Sequence, residues 1–295
     1  MKVRIGSRKS KLAMIQAESI QKILTEAGHE TEIIGLDTKG DQILDRPIDA
    51  LGSRGVFVRE VERALLNGEI DLAVHSLKDL PSQLPEGLSL ANPPKAMPPE
   101  DVFVGTEEVE GLMDLMYRTV GTGSNRRKAQ LRGLFASGID IVPIRGNIET
   151  RMGKIESEQL DGVILARAGL IRGGYEDRIQ MVVDPTHMIP SPCQGILGLE
   201  HRTEDRQLAE LLNELSDPEA TERMEIERTF QKTLGADCQS PIGIYCEFQG
   251  EELTLHGCYA ENVDHPLTFK QVHGKRSEGI SLARELAEEL SHGEN

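Results

Sequence analysis

Proline placement divides this chain before any other feature does. Of its fourteen prolines, four are Pro93, Pro94, Pro98 and Pro99, and three are Pro185, Pro190 and Pro192, so half fall in two short brackets. Proline has no N–H and clashes with a preceding helical turn, so such runs stop helices and stiffen connections. Before the first bracket the pattern alternates: a strand over 3–6, a helix capped by Ser10 and closed at Gly28, a strand over 31–37, a helix over 56–67 and a strand over 70–74. Between the brackets it resumes with strands over 119–122, 139–144 and 162–166 and helices over 125–136 and 148–159. Such alternation predicts mostly parallel sheets with helices on their faces. The second lobe is inserted into the first by two crossovers, and residues 195–199 return to the first sheet. Paired crossovers make a hinge, and ligands favour the cleft between such lobes.

After the second bracket, Asp217-Pro218 reads as an N-cap with proline at the first helical position, opening a helix to about residue 234. Strand-like runs over 242–248, 253–259 and 267–272 and an amphipathic helix over 281–290 read as a small α+β domain. The expected domains are therefore 1–95 with 194–215, 100–189, and 217–295.

Charge narrows the function classes. There are 33 Lys plus Arg against 49 Asp plus Glu, a formal net charge of −16, which argues against generic binding to DNA, RNA or an anionic membrane. With no Trp, four Tyr and six Phe, the chain has too few aromatics for a base-stacking platform. No run approaches the ~18–20 apolar residues of a membrane span, and the first residues have no apolar secretory core, so a cytoplasmic protein is expected. Cys193, Cys238, Cys246 and Cys258 are then expected as free thiols. No C-x-x-C occurs, and His256 with Cys258 alone is too little to place a metal, so none is expected.

The position of the cations says more than their number. Arg8, Lys78, Arg126, Arg127, Arg145 and Arg151 all fall at predicted strand-to-helix junctions, which line the ligand edge of doubly wound sheets. Any one of them alone would serve as a surface ion pair. Together, in an acidic chain, they point to a ligand with several carboxylates or phosphates, which arginine grips through two parallel bonds. Thr122-Gly123-Ser124-Asn125-Arg126-Arg127 adds hydroxyls and backbone N–H groups at a helix start. Neither G-x-x-x-x-G-K-[ST] nor G-x-G-x-x-G is present, so a nucleotide cofactor has no support. His75-Ser76-Leu77-Lys78-Asp79 offers a cation and an acid/base after a strand, or simply a turn with an ion pair, and His75 reads as a core histidine. Cys238 lies in a loop between a glycine and a proline, and spacing alone does not separate a nucleophile or attachment point from an inert thiol.

Several segments, in order and over nearly the whole chain, carry a specific resemblance: Gly6-Ser7-Arg8-Lys9-Ser10-Lys11-Leu12-Ala13, Thr38-Lys39-Gly40-Asp41, Ala73-Val74-His75-Ser76-Leu77-Lys78-Asp79-Leu80-Pro81, Arg126-Arg127, Arg145-Gly146-Asn147 with Arg151, Ala168-Gly169-Leu170, Gln194-Gly195, and Cys238 with Pro241-Ile242-Gly243. The sequence resembles the hydroxymethylbilane synthases, or porphobilinogen deaminases. The resemblance implies an α/β fold of two doubly wound, periplasmic-binding-protein-like lobes plus a small α+β C-terminal domain. It implies a monomeric transferase that condenses four porphobilinogen molecules head to tail, with loss of ammonia, into hydroxymethylbilane. A dipyrromethane cofactor attached through Cys238 would be the primer. Asp79 would be the acid/base with Lys78 beside it. Lys78, Ser76, Thr122, Ser124, Arg126, Arg127 and Gln194 would bind the cofactor, and Arg8, Ser10, Gln16, Arg145, Arg151 and Arg172 the substrate and growing chain. Porphobilinogen would be the partner, with no nucleic acid and no membrane.

Some positions depart from the family pattern. Arg54 and Arg59 stand where Lys is common, Gly123 and Asn125 replace Ser and Leu, Ala236-Asp237 replaces Gly-Gly, and Cys193 stands where Gly is usual. An Asp beside Cys238 would raise its thiol pKa and slow cofactor loading. The residues also admit two other readings. One is a non-catalytic two-lobed protein holding an organic polyanion, which a covalent adduct on Cys238 would exclude. The other is a cysteine-nucleophile transferase unrelated to pyrroles, for which no histidine is obviously placed as base. A transcriptional regulator would need a DNA-binding segment, and none is recognisable.

Overall fold

The computed structural model describes residues 1–38, 58–236 and 240–292. Strand β1 (Lys2–Arg8) leads into helix α1 (Lys11–Glu26), then β2 (Glu30–Leu36), α2 (Arg59–Leu66), β3 (Leu72–Ser76) and β4 (Leu88–Ala91). The middle of the chain runs β5 (Asp101–Gly105), β6 (Thr119–Gly121), α3 (Asn125–Phe135), β7 (Asp140–Val142), α4 (Ile148–Ser157), β8 (Gly162–Ala166), α5 (Arg167–Gly173) and β9 (Met181–Val182). Then come β10 (Leu197–Arg202), α6 (Arg206–Glu214), α7 (Pro218–Thr233), β11 (Ile242–Gln249), β12 (Glu252–Tyr259), β13 (Thr268–Lys275) and α8 (Gly279–His292). They form two compact units, Met1–Met97 with Gly195–Met224, and Pro98–Gln194 with Glu225–Asn295.

The first unit holds one sheet, in the order β2-β1-β3-β10-β4. Side chains alternate across it, so each strand feeds two cores. On one face Ala17, Ile20 and Leu24 of α1 meet Val3, Ile5, Leu72, Val74 and Leu199, and Leu208 and Leu212 of α6 join them. The buried positions of α1 recur every three or four residues, as a one-sided helix requires. On the other face Val61, Ala64 and Leu65 of α2 pack on Ile70, Ala73 and Leu88. Asp71 ties the strands together. It accepts from Arg4 Nε at 2.9 Å and Nη2 at 2.7 Å, and from Arg202 Nη2 at 3.0 Å. Burial alone would lift its carboxyl, but these bonds outweigh burial and hold it down to about 2.

The second unit holds two sheets. Its α/β sheet has the order β7-β6-β8-β5-β9. Gly105 and Gly162 pair across β5 and β8, and a Cβ on either would collide with the Phe103 ring, which fixes both as glycine. The remaining sheet, β11-β12-β13, is an antiparallel meander. Ile226 and Phe230 of α7 and Leu286, Ala287 and Leu290 of α8 close its core over Ile244, Leu253 and Leu255. Ile244 N donates to Pro190 O at 3.0 Å, which joins this meander to the second proline bracket.

The fold class is thus the one the sequence predicts: two doubly wound α/β sheets and a small α+β C-terminal domain. The expectation of mostly parallel sheets is corrected, since each α/β sheet is mixed. The strand entering from a crossover, β10 in the first and β5 in the second, runs antiparallel to both neighbours. Strand β3 starts and ends two residues later than predicted, which puts His75 and Ser76 inside it. No helix among the described residues is long and apolar enough to cross a membrane.

A buried acidic group sits between α2 and the sheet. Ala73 pairs with Glu200 and His75 with Gly198, so His75 and Glu200 share the α2 face. His75 Nε2 lies 3.2 Å from Glu200 Oε2. Burial first, and the Glu200 carboxylate next, push Glu62 of α2 up to about 7, against the pull of His75 and Arg59. A carboxyl whose folded pKa is raised contributes stability below its unfolded value near 4.5 and loses it as pH climbs through about 7. Glu62→Gln should therefore stabilise the protein at pH 8, by about 2–3 kcal/mol, and do little at pH 5. Thermal unfolding of both proteins at the two pH values checks this, and parallel pH dependences would contradict it.

Candidate functional site

Each unit carries its own share of the predicted site residues. In the first, β3 ends at Ser76 and a single 3₁₀ turn over Leu77–Asp79 follows. Leu77 and Leu80 are buried and anchor the turn from both sides. Leu77 N donates to Ile196 O at 3.0 Å, and Leu80 N to Leu77 O at 3.1 Å. With its apolar residues fixed, the turn presents Lys78 half-buried and Asp79 exposed. Gln16 is buried in α1 and donates from Nε2 to Ser76 Oγ at 2.8 Å, so these two predicted residues meet each other. Arg8, at the end of β1, and Ser10, the N-cap of α1, are half-buried, and the Ser10 hydroxyl makes no cap hydrogen bond.

In the second unit the site is built on one buried carboxylate. Asp101, the first residue of β5, is fully buried and accepts from Arg126 Nη2 and Arg127 Nη2, each at 2.7 Å, and from Gln194 Nε2 at 2.8 Å. Arg126 Nη1 also donates to Ile189 O at 2.6 Å, and Arg127 Nη1 to Ile164 O at 2.9 Å. Gln130 exchanges two bonds with the Ile189 backbone, at 3.0 and 2.7 Å. Strand β5, helix α3, strand β8 and the second proline-rich segment are thereby stitched to one side chain. Burial opposes the ionisation of Asp101, but the two guanidiniums prevail and keep its carboxyl far below the usual range.

This group is not electrically closed. One carboxylate faces two guanidiniums, so the trio carries one net positive charge, and Nε of both Arg126 and Arg127 is buried with no hydrogen-bond partner. Such atoms and such a charge are costly to bury, and an anion with several acceptors would satisfy them. A ligand bearing carboxylates fits this donor set. Around the trio, Thr122 is buried and accepts from Ser124 N at 3.2 Å, while Ser124 caps α3, accepting from Arg127 N at 3.4 Å. Arg145 and Arg151 bracket the Gly146 turn, and Arg151 Nε donates to Gly146 O at 2.8 Å. Arg172, in the last turn of α5, has its pKa lowered by burial to about 10 and stays a cation at neutral pH.

Two of the predicted cations, Arg126 and Arg127, are therefore built into the protein's own network around Asp101. Asp101 and Gln130 escaped the sequence reading. The one signal for Asp101 was an acidic residue heading the apolar run Val102-Phe103-Val104 beside a proline bracket. Cys238 with Asp237, and Arg54, lie outside the described residues.

The described cysteines, Cys193, Cys246 and Cys258, are free and buried. Burial pushes the Cys258 thiol up to about 12, despite the Arg126 guanidinium. His256 pairs with Glu247 at 3.0 Å, and no metal-binding cluster occurs among the described residues. Alkylation of the native protein at pH 8 should leave Cys193, Cys246 and Cys258 unmodified, and peptide mapping after denaturation should show all three reactive. Native labelling of Cys258 would contradict the burial described.

Two family models match the chain: "Porphobilinogen deaminase, dipyromethane cofactor binding domain" over residues 3–210, and "Porphobilinogen deaminase, C-terminal domain" over residues 221–292. A porphobilinogen deaminase of Alkaliphilus metalliredigens is 41% identical over 291 residues, covering 98% of this chain and 92% of that one. One from Clostridioides difficile is 37% identical over 303 residues, covering 100% of both. Among solved structures, the periplasmic VFT2 domain of Bordetella pertussis BvgS matches 76% of this chain and 92% of that chain, at 19% identity and a TM-score of 0.44.

Proposed function

This chain belongs to the porphobilinogen deaminase family, and on that premise we propose which of its residues perform the family's reaction. It is a transferase of tetrapyrrole biosynthesis that joins four porphobilinogen molecules head to tail, releases ammonia at each step and uses a dipyrromethane cofactor. When bound, the dipyrromethane supplies the pyrrole carbon to which the first substrate is joined.

The observation that carries the assignment is the unbalanced positive charge around Asp101. Each pyrrole of the substrate carries two carboxylates, and a buried site with one cation in excess suits such a ligand. Arg126 and Arg127 hold cofactor carboxylates through the donors that Asp101, Ile164 and Ile189 leave unused. Lys78, Ser76, Thr122, Ser124 and Gln194 complete the cofactor site. Arg8, Ser10, Gln16, Arg145, Arg151 and Arg172 serve the substrate and the growing chain. Cys238 is the attachment point, by a thioether.

Asp79 is the acid/base. Its protonated form donates a proton to the amine of porphobilinogen, which leaves as ammonia, and its carboxylate then faces the cation left on the pyrrole. A charge pair at ~4 Å is worth about 4 kcal/mol at an effective dielectric near 20 and about 1 kcal/mol in bulk water, so exclusion of water by the bound pyrroles sets the benefit. After carbon–carbon bond formation the same carboxylate takes up the proton lost from the attacked ring. Lys78, the neighbouring residue in the same turn, supplies a cation for the carboxylates of the ligand.

The domains are read as 1–95 with 194–215, 100–189 and 217–295, the last carrying Cys238. The protein works as a cytoplasmic monomer without nucleic acid. Intact mass under denaturing conditions tests the reading, on wild type and Cys238→Ser from cells able to make porphobilinogen. Wild type should exceed its sequence mass by one dipyrromethane, and the variant should be bare and inactive. A bare wild type that stays bare after incubation with porphobilinogen would refute the assignment. Asp79→Asn should lower kcat by about 10²-fold or more with a smaller effect on KM.

A further inference from the structure

We propose that Arg167 is a further carboxylate-binding residue for the pyrrole chain, held in reserve by Glu100. The inference rests on the function proposed above.

Register puts Arg167 at the ligand edge of the second unit's α/β sheet. Strand β6 runs parallel to β7 and β8, so the carboxyl ends of all three face one edge, where Thr122, Arg145 and Arg167 follow in turn. Ala166, the last residue of β8, pairs with Asp101 across the antiparallel β5–β8 ladder. Arg167 and Glu100 are therefore the next residues out, beside the carboxylate that organises Arg126 and Arg127. The segment Ala168-Gly169-Leu170 that carries part of the family resemblance begins one residue later.

The Arg167–Glu100 contact is poorly made. Arg167 Nη1 meets Glu100 Oε1 at 3.2 Å, and the Arg167 backbone N donates to Glu100 O at 3.0 Å. Arg167 Nε and Glu100 Oε2 are both buried with no hydrogen-bond partner. A committed guanidinium–carboxylate pair in this same protein looks different: Arg4 grips Asp71 with Nε at 2.9 Å and Nη2 at 2.7 Å. Two parallel charge-assisted bonds are the favoured geometry, and this pair has one long bond and a spare atom on each side. Both side chains also keep contact with solvent, at 29% and 20% exposure, so neither is locked in the core.

These features describe a contact that can be exchanged. A substrate carboxylate arriving at this edge offers Arg167 the second bond that Glu100 does not. Glu100, partly in water already, turns outward and regains hydration. Each added pyrrole brings two more carboxylates, so the demand for cations rises as the chain grows, and a guanidinium released only on demand answers the later additions. No covalent step is involved, only an exchange of ion-pair partners.

The exchange predicts opposite effects from its two partners. Arg167→Leu should raise KM for porphobilinogen about tenfold, and intact mass at limiting substrate should shift toward adducts with fewer added pyrroles. Glu100→Gln removes the competitor and should lower KM by about threefold. Arg167→Lys, which keeps charge without the fork, should fall between wild type and Arg167→Leu. If the pair only ties β5 to β8, both Arg167→Leu and Glu100→Gln will lower the melting temperature and leave KM and the adduct distribution unchanged, and the proposal falls while the function stands. If wild type forms no pyrrole adducts at all, the function itself falls and this proposal with it. Should Arg167→Leu fail to fold, the direction of the KM change in Glu100→Gln and Arg167→Lys decides.

Discussion

The second unit is organised by the burial of one carboxylate between two arginines. An isolated ion is expensive to remove from water, and a buried pair is tolerated only when its remaining hydrogen bonds are met. Asp101 meets that demand with three charged or polar donors, from Arg126, Arg127 and Gln194. Because those donors come from α3 and from the second proline bracket, satisfying Asp101 also fixes where those segments stand. The carbonyls of Ile164 and Ile189 take the next bonds, so strand, helix and connection are located by one network. Such networks specify geometry more than they add stability, and geometry is what a site with several carboxylate contacts needs.

The same network resolves an apparent conflict between composition and chemistry. A chain with a formal net charge of −16 is a poor receptor for polyanions on long-range electrostatics alone. Attraction must then be local, supplied by cations at strand ends where water is partly excluded. Around Asp101 one carboxylate faces two arginines, so one positive charge is left over. In the first unit, by contrast, Asp71 also faces two guanidiniums, those of Arg4 and Arg202, but Asp205 lies 3.4 Å from Arg202 Nη2 and supplies the second negative charge. Similar residues thus serve two ends, and the arithmetic of charge at each carboxylate tells them apart.

Legibility followed physical range. Elements with strong periodicity were readable: α1 from its buried spacing, β8 with the same ends as predicted, α7 from Asp217-Pro218, whose carboxylate accepts from Ala220 N at 2.8 Å. Short elements such as β4, β9, α5 and α6 were not, because four strand residues or two turns of helix carry little pattern. The direction of β5 and β10 was hidden too, since it depends on where a crossover lands. At the site, Lys78-Asp79 and Arg126-Arg127 were visible as local motifs. Asp101 was not, because its partners lie 25, 26 and 93 residues away, and no local rule joins an acidic residue to arginines at that distance. The exchangeable contact of Arg167 with Glu100 lies 67 residues apart and was equally beyond reach.

Asp101→Asn removes the carboxylate on which this network is built, and thermal stability and cofactor content can be read on the same sample. Asparagine keeps the shape and removes the charge, leaving two buried guanidiniums without their counter-ion. The expected result is a loss of about 3–5 kcal/mol in stability together with loss of the bound dipyrromethane, because α3 and its arginines no longer hold their place. A variant that melts like wild type and carries a full load of cofactor would contradict it.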